Sequence, residues 1–353
     1  MNITFFLPNI SNDPIGGYKI VYEYANRLAK RGHIIAIVFL CNFGQRHKFV
    51  PLFLQRLIYG YRVKRYPTWF ELDKAVKKAY CIKTVDTNYI PDADCVIATA
   101  VTTAHIVHDL PLNKGEKAYF IQGFENWDVD DEFVYDTYKL GMKNIVISNW
   151  LKEKVESAGA QAFLVHNGID FSVFNIDILP DQRMPHSIAM LYHQDECKGC
   201  KYGIEVLKLL KNKYNDLQVT LFGVPDRPRE LPMWIHYIKN ANENDLKKIY
   251  NRAAIFICPS INDGFGLTGA ESMACGCAFV SSSYDGVKDY AIHMKNSLLS
   301  PVRDVATMVD NIEMLFNDNE LRINLAKRGN VDIQNFNWRN SVELFEKYIL
   351  QNN

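Results

Sequence analysis

An α/β protein of two Rossmann-like, doubly wound domains facing across a cleft is the fold this sequence predicts, and three observations predict it. At 353 residues the chain exceeds what one hydrophobic core ordinarily organises. Short apolar runs alternate with amphipathic segments from end to end, the pattern of strands covered on both faces by helices. Twice, an apolar run opens into a glycine-bearing polar loop and then a helix: NISNDPIGG after NITFFLP, and PSINDGFGLTG after AAIFIC. Such units put backbone N–H groups and a helix N-terminus at the carboxyl end of a parallel strand, where open α/β sheets bind phosphorylated ligands.

NITFFLP (2–8) is the first strand. In the segment that follows, Val21, Ala25, Leu28 and Ala29 share one helical face, and Gly32 is the stop. With the next strand at 34–40 this makes a right-handed βαβ unit. Gly16 and Gly17 in its loop read as an anion site or simply as a tight turn. Residues 46–78 hold nine Lys or Arg (Arg46 and Lys48 the first two) against Glu71 and Asp73. Phe49, Leu52, Phe53, Leu57, Ile58, Tyr61 and Trp69 lie among them. Two readings fit: a surface leaning on an anionic bilayer, or a helical excursion with its apolar face in the core and its basic face solvated. Further strands are expected at 93–99, 117–122, 144–148 and 161–166. YFIQGFENWDVDDEF reads as an acidic, aromatic loop, and SNWLKEKVESAG as an N-capped helix.

The first domain is taken as 1–168 and the second as 169–335, entered through HNGIDFSVF and a polar, proline-bearing stretch. Within the second domain, strands are expected at 187–192, 218–223, 254–258 and 277–280. Helices are expected at 197–214, 243–251 and around 305–316. A last helix, within 336–353, is expected to pack back toward the first domain.

Lys and Arg number 40 and so do Asp and Glu, so the chain lacks the basic excess of a nucleic-acid binder. No secretory leader and no apolar run long enough to span a bilayer is evident, so a cytoplasmic protein, peripheral at most on the inner face of the plasma membrane, is expected. Of eight cysteines, Cys197 and Cys200 have zinc or redox spacing, but no second pair matches it, and no metal or other cofactor is expected.

Chemistry concentrates around 253–283. Asp263 and Glu271, separated by seven residues, bracket the second glycine loop. Ionised carboxylates accept two hydroxyl protons at once, which suits sugar and ribose. Lys198 supplies a cation for a diphosphate, and Gly266, Leu267, Thr268 and Gly269 offer N–H groups at a helix start. Structural alternatives stand beside each. Thr268-x-x-Glu271 fits a capping box, Asp263 a turn residue, and Lys198 an exposed helix-start lysine.

The segment PSINDGFGLTGAESMACGCAFVSS strongly resembles the donor-site signature of family-4 glycosyltransferases, which have the GT-B fold. There two glutamates separated by seven residues bracket a Phe-Gly-Leu loop. NISNDPIGG, VISNWLKE, VHNGIDFSVF, the Lys-Gly pair at 198–199, LKKIYNRAAIFICPS and FNW fit the same pattern in order. LYHQDECKG and YFIQGFENW are similar to bacterial rhamnosyltransferase-type members of surface-polysaccharide pathways such as O-antigen or capsule synthesis.

This resemblance implies a retaining, metal-independent transfer from a nucleotide-diphosphate sugar to a glycan or lipid-linked acceptor. Glu271 would hold ribose, Asp263 the transferred sugar, and Lys198 the diphosphate. Gly264, Phe265, Gly266, Leu267 and Thr268 would line sugar and phosphate, with Gly16 and Gly17 closing the pocket. The chain departs from the pattern at three positions. Asp263 replaces a glutamate; Tyr192 replaces an arginine, with His193 as a partial substitute; Gln122 replaces an N-domain histidine, with Glu125 beside it on the acceptor side. Two other functions stay open: a sugar-nucleotide epimerase on the same fold, and a catalytically weak nucleotide-sugar or glycan-binding protein.

Overall fold

The computed structural model describes residues 1–41, 50–82 and 87–350, and the chain divides into two compact units. Unit 1 comprises Met1–His166 together with the C-terminal segment from Arg339; unit 2 is Asn167–Trp338.

Unit 1 runs β1 (Asn2–Leu7), α1 (Gly16–Lys30), β2 (Ile34–Cys41), α2 (Leu52–Arg65), β3 (Lys77–Ile82), β4 (Cys95–Ala98), α3 (Val101–His108), β5 (Glu116–Ile121), α4 (Asp131–Tyr138), β6 (Lys143–Val146), α5 (Asn149–Ser157) and β7 (Ala162–Leu164). Its seven strands are all parallel, in the order β3-β2-β1-β4-β5-β6-β7. Ile3 pairs with Ile35 on one side and with Cys95 on the other. Every residue of β1 after Asn2 is buried, as helices on both faces require.

Unit 2 repeats the plan with β8 (Ser187–Leu191), α6 (Cys200–Lys213), β9 (Gln218–Gly223), β10 (Ile235–Lys239), α7 (Glu243–Arg252), β11 (Ile255–Cys258), α8 (Leu267–Ala274), β12 (Ala278–Ser282), β13 (Leu298–Ser300), α9 (Val305–Asn317) and α10 (Asn319–Ile333). The six strands are parallel in the order β10-β9-β8-β11-β12-β13. Ile188, Leu221, Ile255 and Val280 from its strands meet Leu207 and Leu210 of α6 and Ile312 of α9 in one core. Both units are therefore Rossmann-like. In each, the strand order reverses beside the first strand, between β1 and β4 and between β8 and β11. Loops leaving such a pair diverge and open a crevice at the strands' carboxyl ends.

The last helix, α11 (Trp338–Leu350), belongs to unit 1 from Arg339 onward. Phe345 is buried against Phe5, Tyr24 and Phe120, with centroids 6.1, 4.3 and 5.3 Å away. Glu346 pairs with Arg31 at 2.6 Å and His33 at 2.7 Å.

Several local expectations are corrected. The stretch 46–78 is not one excursion: a helix of 14 residues is followed by irregular chain and then by the edge strand β3, which starts at Lys77. Arg46, Lys48 and Phe49 lie outside the described residues. The apolar face of α2 is not core. It buries Gln55, Tyr59 and Val63, while Phe53, Leu57 and Tyr61 are 64, 67 and 63% exposed. The acidic loop is partly helix, because Asp130 accepts the Phe133 N–H at 2.8 Å and caps α4. Finally, α10 is a helix the sequence pattern did not announce.

Candidate active site

The candidates of unit 2 come from the loops that leave β8 and β11, the two strands at its switch point. After β8 the chain turns through Tyr192 and His193 into a short 3₁₀ turn (Glu196–Lys198) capped by Asp195, whose carboxylate accepts the Cys197 N–H at 3.0 Å. Gly199 then adopts a left-handed conformation (φ 60°), and a Cβ there would collide with the Pro259 carbonyl. The Cys197 carbonyl accepts both the Ile261 N–H (2.7 Å) and the Asn262 N–H (3.1 Å). The lysine-bearing turn is thus bonded to the loop after β11.

That loop is organised by Asp263. Its Oδ1 accepts the Gly266 N–H at 3.2 Å, and its Oδ2 lies 2.6 Å from Lys198 Nζ. Burial pulls the Lys198 ammonium toward deprotonation, but the Asp263 charge and hydrogen bond outweigh it and hold the pKa above its ordinary value. Gly266, with φ 85°, is the N-cap of α8. It rests on a tyrosine pair: Tyr290 donates to the Gly266 carbonyl at 2.9 Å, and a Cβ on Gly266 would strike the Tyr284 hydroxyl. Leu267 and Thr268 open the helix, half-buried, so their N–H groups belong to the unpaired first turn.

One structural alternative fails here, and two residues gain further partners. Thr268 is inside α8 and not its N-cap, so Thr268-x-x-Glu271 is not a capping box. Glu271 is 5% exposed and accepts the Tyr250 hydroxyl at 3.2 Å, a buried acid held by a buried phenol. The ring of Phe265 is 1% exposed and packs on Tyr290 and Phe336, which makes it an anchor beneath the loop and leaves only its backbone to a ligand.

His193 Nδ1 accepts the Asp195 N–H at 3.0 Å, which puts the ring proton on Nε2. Burial, and then the nearby Lys198, lower its pKa, so at neutral pH it offers a hydrogen bond and not a second cation. Tyr192 is half-buried, edge-on to Tyr237 at 6.0 Å. Burial raises the Cys197 thiol to about 12 and Cys200 to about 11, so both stay protonated. Among the described residues no group of three or more His, Cys, Asp or Glu is placed to hold a metal.

In unit 1 the candidates gather where β1, β4 and β5 end. Gly16 and Gly17 are the first two residues of α1 and neither has a positive φ, so the tight-turn reading fails. Their N–H groups open a helix whose N-cap, Ile15, supplies no side-chain acceptor. Gln122, the first residue after β5, donates to the Gly17 carbonyl at 3.1 Å. Glu125 accepts the Val101 N–H at the start of α3 at 2.7 Å; burial, partly offset by that bond, raises its carboxyl to about 7.

Tyr250, Tyr284 and Tyr290, which shape the unit 2 loop, were not singled out from sequence. They lie up to two dozen residues from Gly266, and no local pattern marks them.

Comparison with known proteins agrees with this architecture. The family described as glycosyl transferases group 1 matches residues 182–331, all within unit 2. An uncharacterized glycosyltransferase of Haemophilus influenzae is 22% identical over 97% of this chain and 98% of its own. In Campylobacter jejuni, the N,N'-diacetylbacillosaminyl-diphospho-undecaprenol alpha-1,3-N-acetylgalactosaminyltransferase is 28% identical, over 38% of this chain and 36% of its own length. The crystal structure of Anabaena HepE in complex with UDP-glucose superposes with a TM-score of 0.73 at 12% identity, covering 99% of this chain and 98% of that one. The match of residues 182–331 to the group 1 glycosyl transferases and the relatives' names support a glycosyltransferase, and the two Rossmann-like units have a fold of the GT-B kind.

Proposed function

We propose that the chain is a retaining, family-4 type hexosyltransferase. It moves a hexose or deoxyhexose from a nucleotide-diphosphate sugar to a glycan or lipid-linked acceptor in cell-surface polysaccharide synthesis. One observation carries the reading: Lys198, Asp263, the open N-terminus of α8 and Glu271 sit on loops and a helix that follow the two switch-point strands of unit 2. The relatives' names support the partners. HepE was crystallised with UDP-glucose, and the Campylobacter jejuni enzyme is named for an acceptor on diphospho-undecaprenol. An acceptor of that kind is presented at a bilayer, so the chain would work peripherally on the inner face of the plasma membrane. No helix among the described residues is long and apolar enough to cross it.

In this reading the donor's diphosphate takes Lys198 from Asp263, and the freed carboxylate turns to hydroxyls of the transferred sugar. Glu271 holds ribose, and Gly264, Gly266, Leu267 and Thr268 bring backbone donors to phosphate and sugar. The anomeric C–O bond breaks with its electron pair leaving on the nucleoside diphosphate. The acceptor oxygen bonds to the same face of that carbon, and its proton passes to the departing phosphate. Side chains contribute position and charge, with no side-chain nucleophile and no metal. Gln122 and Glu125 are the acceptor-side candidates, while Gly16 and Gly17 remain donor-side candidates.

Thermal shift against UDP-, GDP- and dTDP-sugars, followed by transfer assays with EDTA present, is the test. One donor class should raise the melting temperature. Lys198→Ala and Glu271→Ala should each lower transfer about 100-fold or more while the apo melting curve stays cooperative. Wild-type-like transfer by both variants sinks the reading. The Lys198–Asp263 pair gives the non-enzyme reading its one foothold, since each residue occupies the other in the free protein. Tight donor binding with no turnover on any acceptor would favour that reading, and donor conversion without acceptor would favour an epimerase.

A further inference from the structure

We propose that the outward face of α2 docks onto an anionic lipid bilayer, with its apolar side chains entering the headgroup region. The helix is inverted relative to an ordinary surface helix. Its inward stripe is Gln55, Tyr59 and Val63. Gln55 donates to the Val50 carbonyl at 2.7 Å, Tyr59 lies 6.4 Å from Tyr80, and the Tyr80 hydroxyl donates to the Arg56 carbonyl at 3.1 Å. The two Tyr80 contacts fix α2 against β3, the edge strand of the sheet. Away from β3 the helix presents Phe53, Leu54, Leu57, Ile58 and Tyr61 to solvent. Large apolar side chains contiguous on one exposed face mark a surface that meets something else.

Charge selects the occupant. Arg56, Arg62, Lys64 and Arg65 lie on α2, which carries no acidic residue. Arg56 stacks over Tyr89 at 4.8 Å, and Arg65 donates to the Tyr61 hydroxyl at 3.0 Å, so guanidinium groups sit beside aromatic rings. Two copies of this face brought together would oppose like charges, which disfavours a self-dimer. A bilayer bearing anionic headgroups takes both components at once, the apolar chains in depth and the long basic chains at the phosphate level. A protein partner would have to supply an acidic apolar groove for a convex helix face.

The inference rests on the proposed membrane-borne acceptor for its purpose, and the experiment separates the two. The full chain is sedimented with vesicles of phosphatidylcholine alone and of phosphatidylcholine mixed with phosphatidylglycerol, at rising salt. Binding is expected to the mixed vesicles only, weakening as salt rises. Lys64→Gln with Arg65→Gln should cost about 30-fold in vesicle affinity, and Phe53→Ser with Leu57→Ser about tenfold or more. Both doubles should keep the wild-type donor thermal shift. Lys198→Ala should bind vesicles like wild type. Equal binding to both vesicle types, no binding to either, or doubles that bind as wild type would overturn the proposal. So would self-association in light scattering that the same doubles abolish, since the face would then meet a second copy. Vesicle binding intact with no transfer on any acceptor leaves the docking surface standing and removes the activity.

Discussion

Lys198 keeps its charge because Asp263 lies 2.6 Å away; burial alone would lower its pKa, and the carboxylate reverses that. The pair also accounts for the shorter acid. With one methylene fewer than glutamate, Asp263 stays close enough to its own loop to accept the Gly266 N–H while meeting the lysine. Glu125 shows the opposite balance. Its carboxyl is raised from an ordinary 4.5 to about 7 by burial, against the Val101 hydrogen bond. Between those values the folded chain keeps a proton that the unfolded chain has released. Stability therefore falls as pH rises through that window and levels off above it. Glu125→Gln retains an acceptor for Val101 and removes the effect. The variant should melt with wild type at about pH 4 and above it at about pH 8. Coincident melting curves at both ends would refute the burial argument. The types and spacing of these residues were legible in sequence. Their partners were not, because Lys198 and Asp263 lie 65 positions apart and only the fold joins them.

At the scale of elements, the loop–helix unit around Gly266 depends on one backbone conformation. Its φ of 85° and the tyrosine hydroxyls beneath it leave no room for a Cβ. Gly266→Ala should cost roughly 2–4 kcal/mol from left-handed strain plus displaced tyrosines, read by urea denaturation. The donor thermal shift should vanish with it; a variant as stable as wild type would mean the loop relaxes freely. Strands and helices with strong periodicity were readable in advance, and β1, α1, β2, α6 and β11 fall within a residue or two of expectation at most ends. The misses have physical causes. Strand β3 is an edge strand that starts with two lysines, so it lacks the apolar run of a central strand. In α10, Arg328-Gly329-Asn330 looks like a helix stop. Yet Gly329 is interior, where a Cβ would press within 3.0 Å of Met273 Cε.

Over the whole molecule, the chain enters unit 2 at Asn167 and leaves it at Trp338, and the two passages are bonded to each other inside that unit. Ile169 donates its N–H to the Phe336 carbonyl at 2.8 Å, and Gly168 sits where a Cβ would strike Trp338. The last helix then completes the core of unit 1. Phe345→Ala should destabilise that unit by about 3–5 kcal/mol. Two units need not unfold together, so the expected signature is an early first transition in urea with the second unmoved. A single unshifted transition would show that α11 adds nothing to unit 1.

The sequence by itself determined the α/β class and the two-unit plan, and it marked the residues proposed for the donor, because strand burial, helix periodicity and glycine loops leave short-range marks. Tertiary structure decided the rest. It paired Lys198 with Asp263, put Glu271 on a buried tyrosine, made His193 neutral and turned the apolar face of α2 outward. Each outcome depends on which distant groups share a site, and burial and charge are properties of that site and not of the local chain.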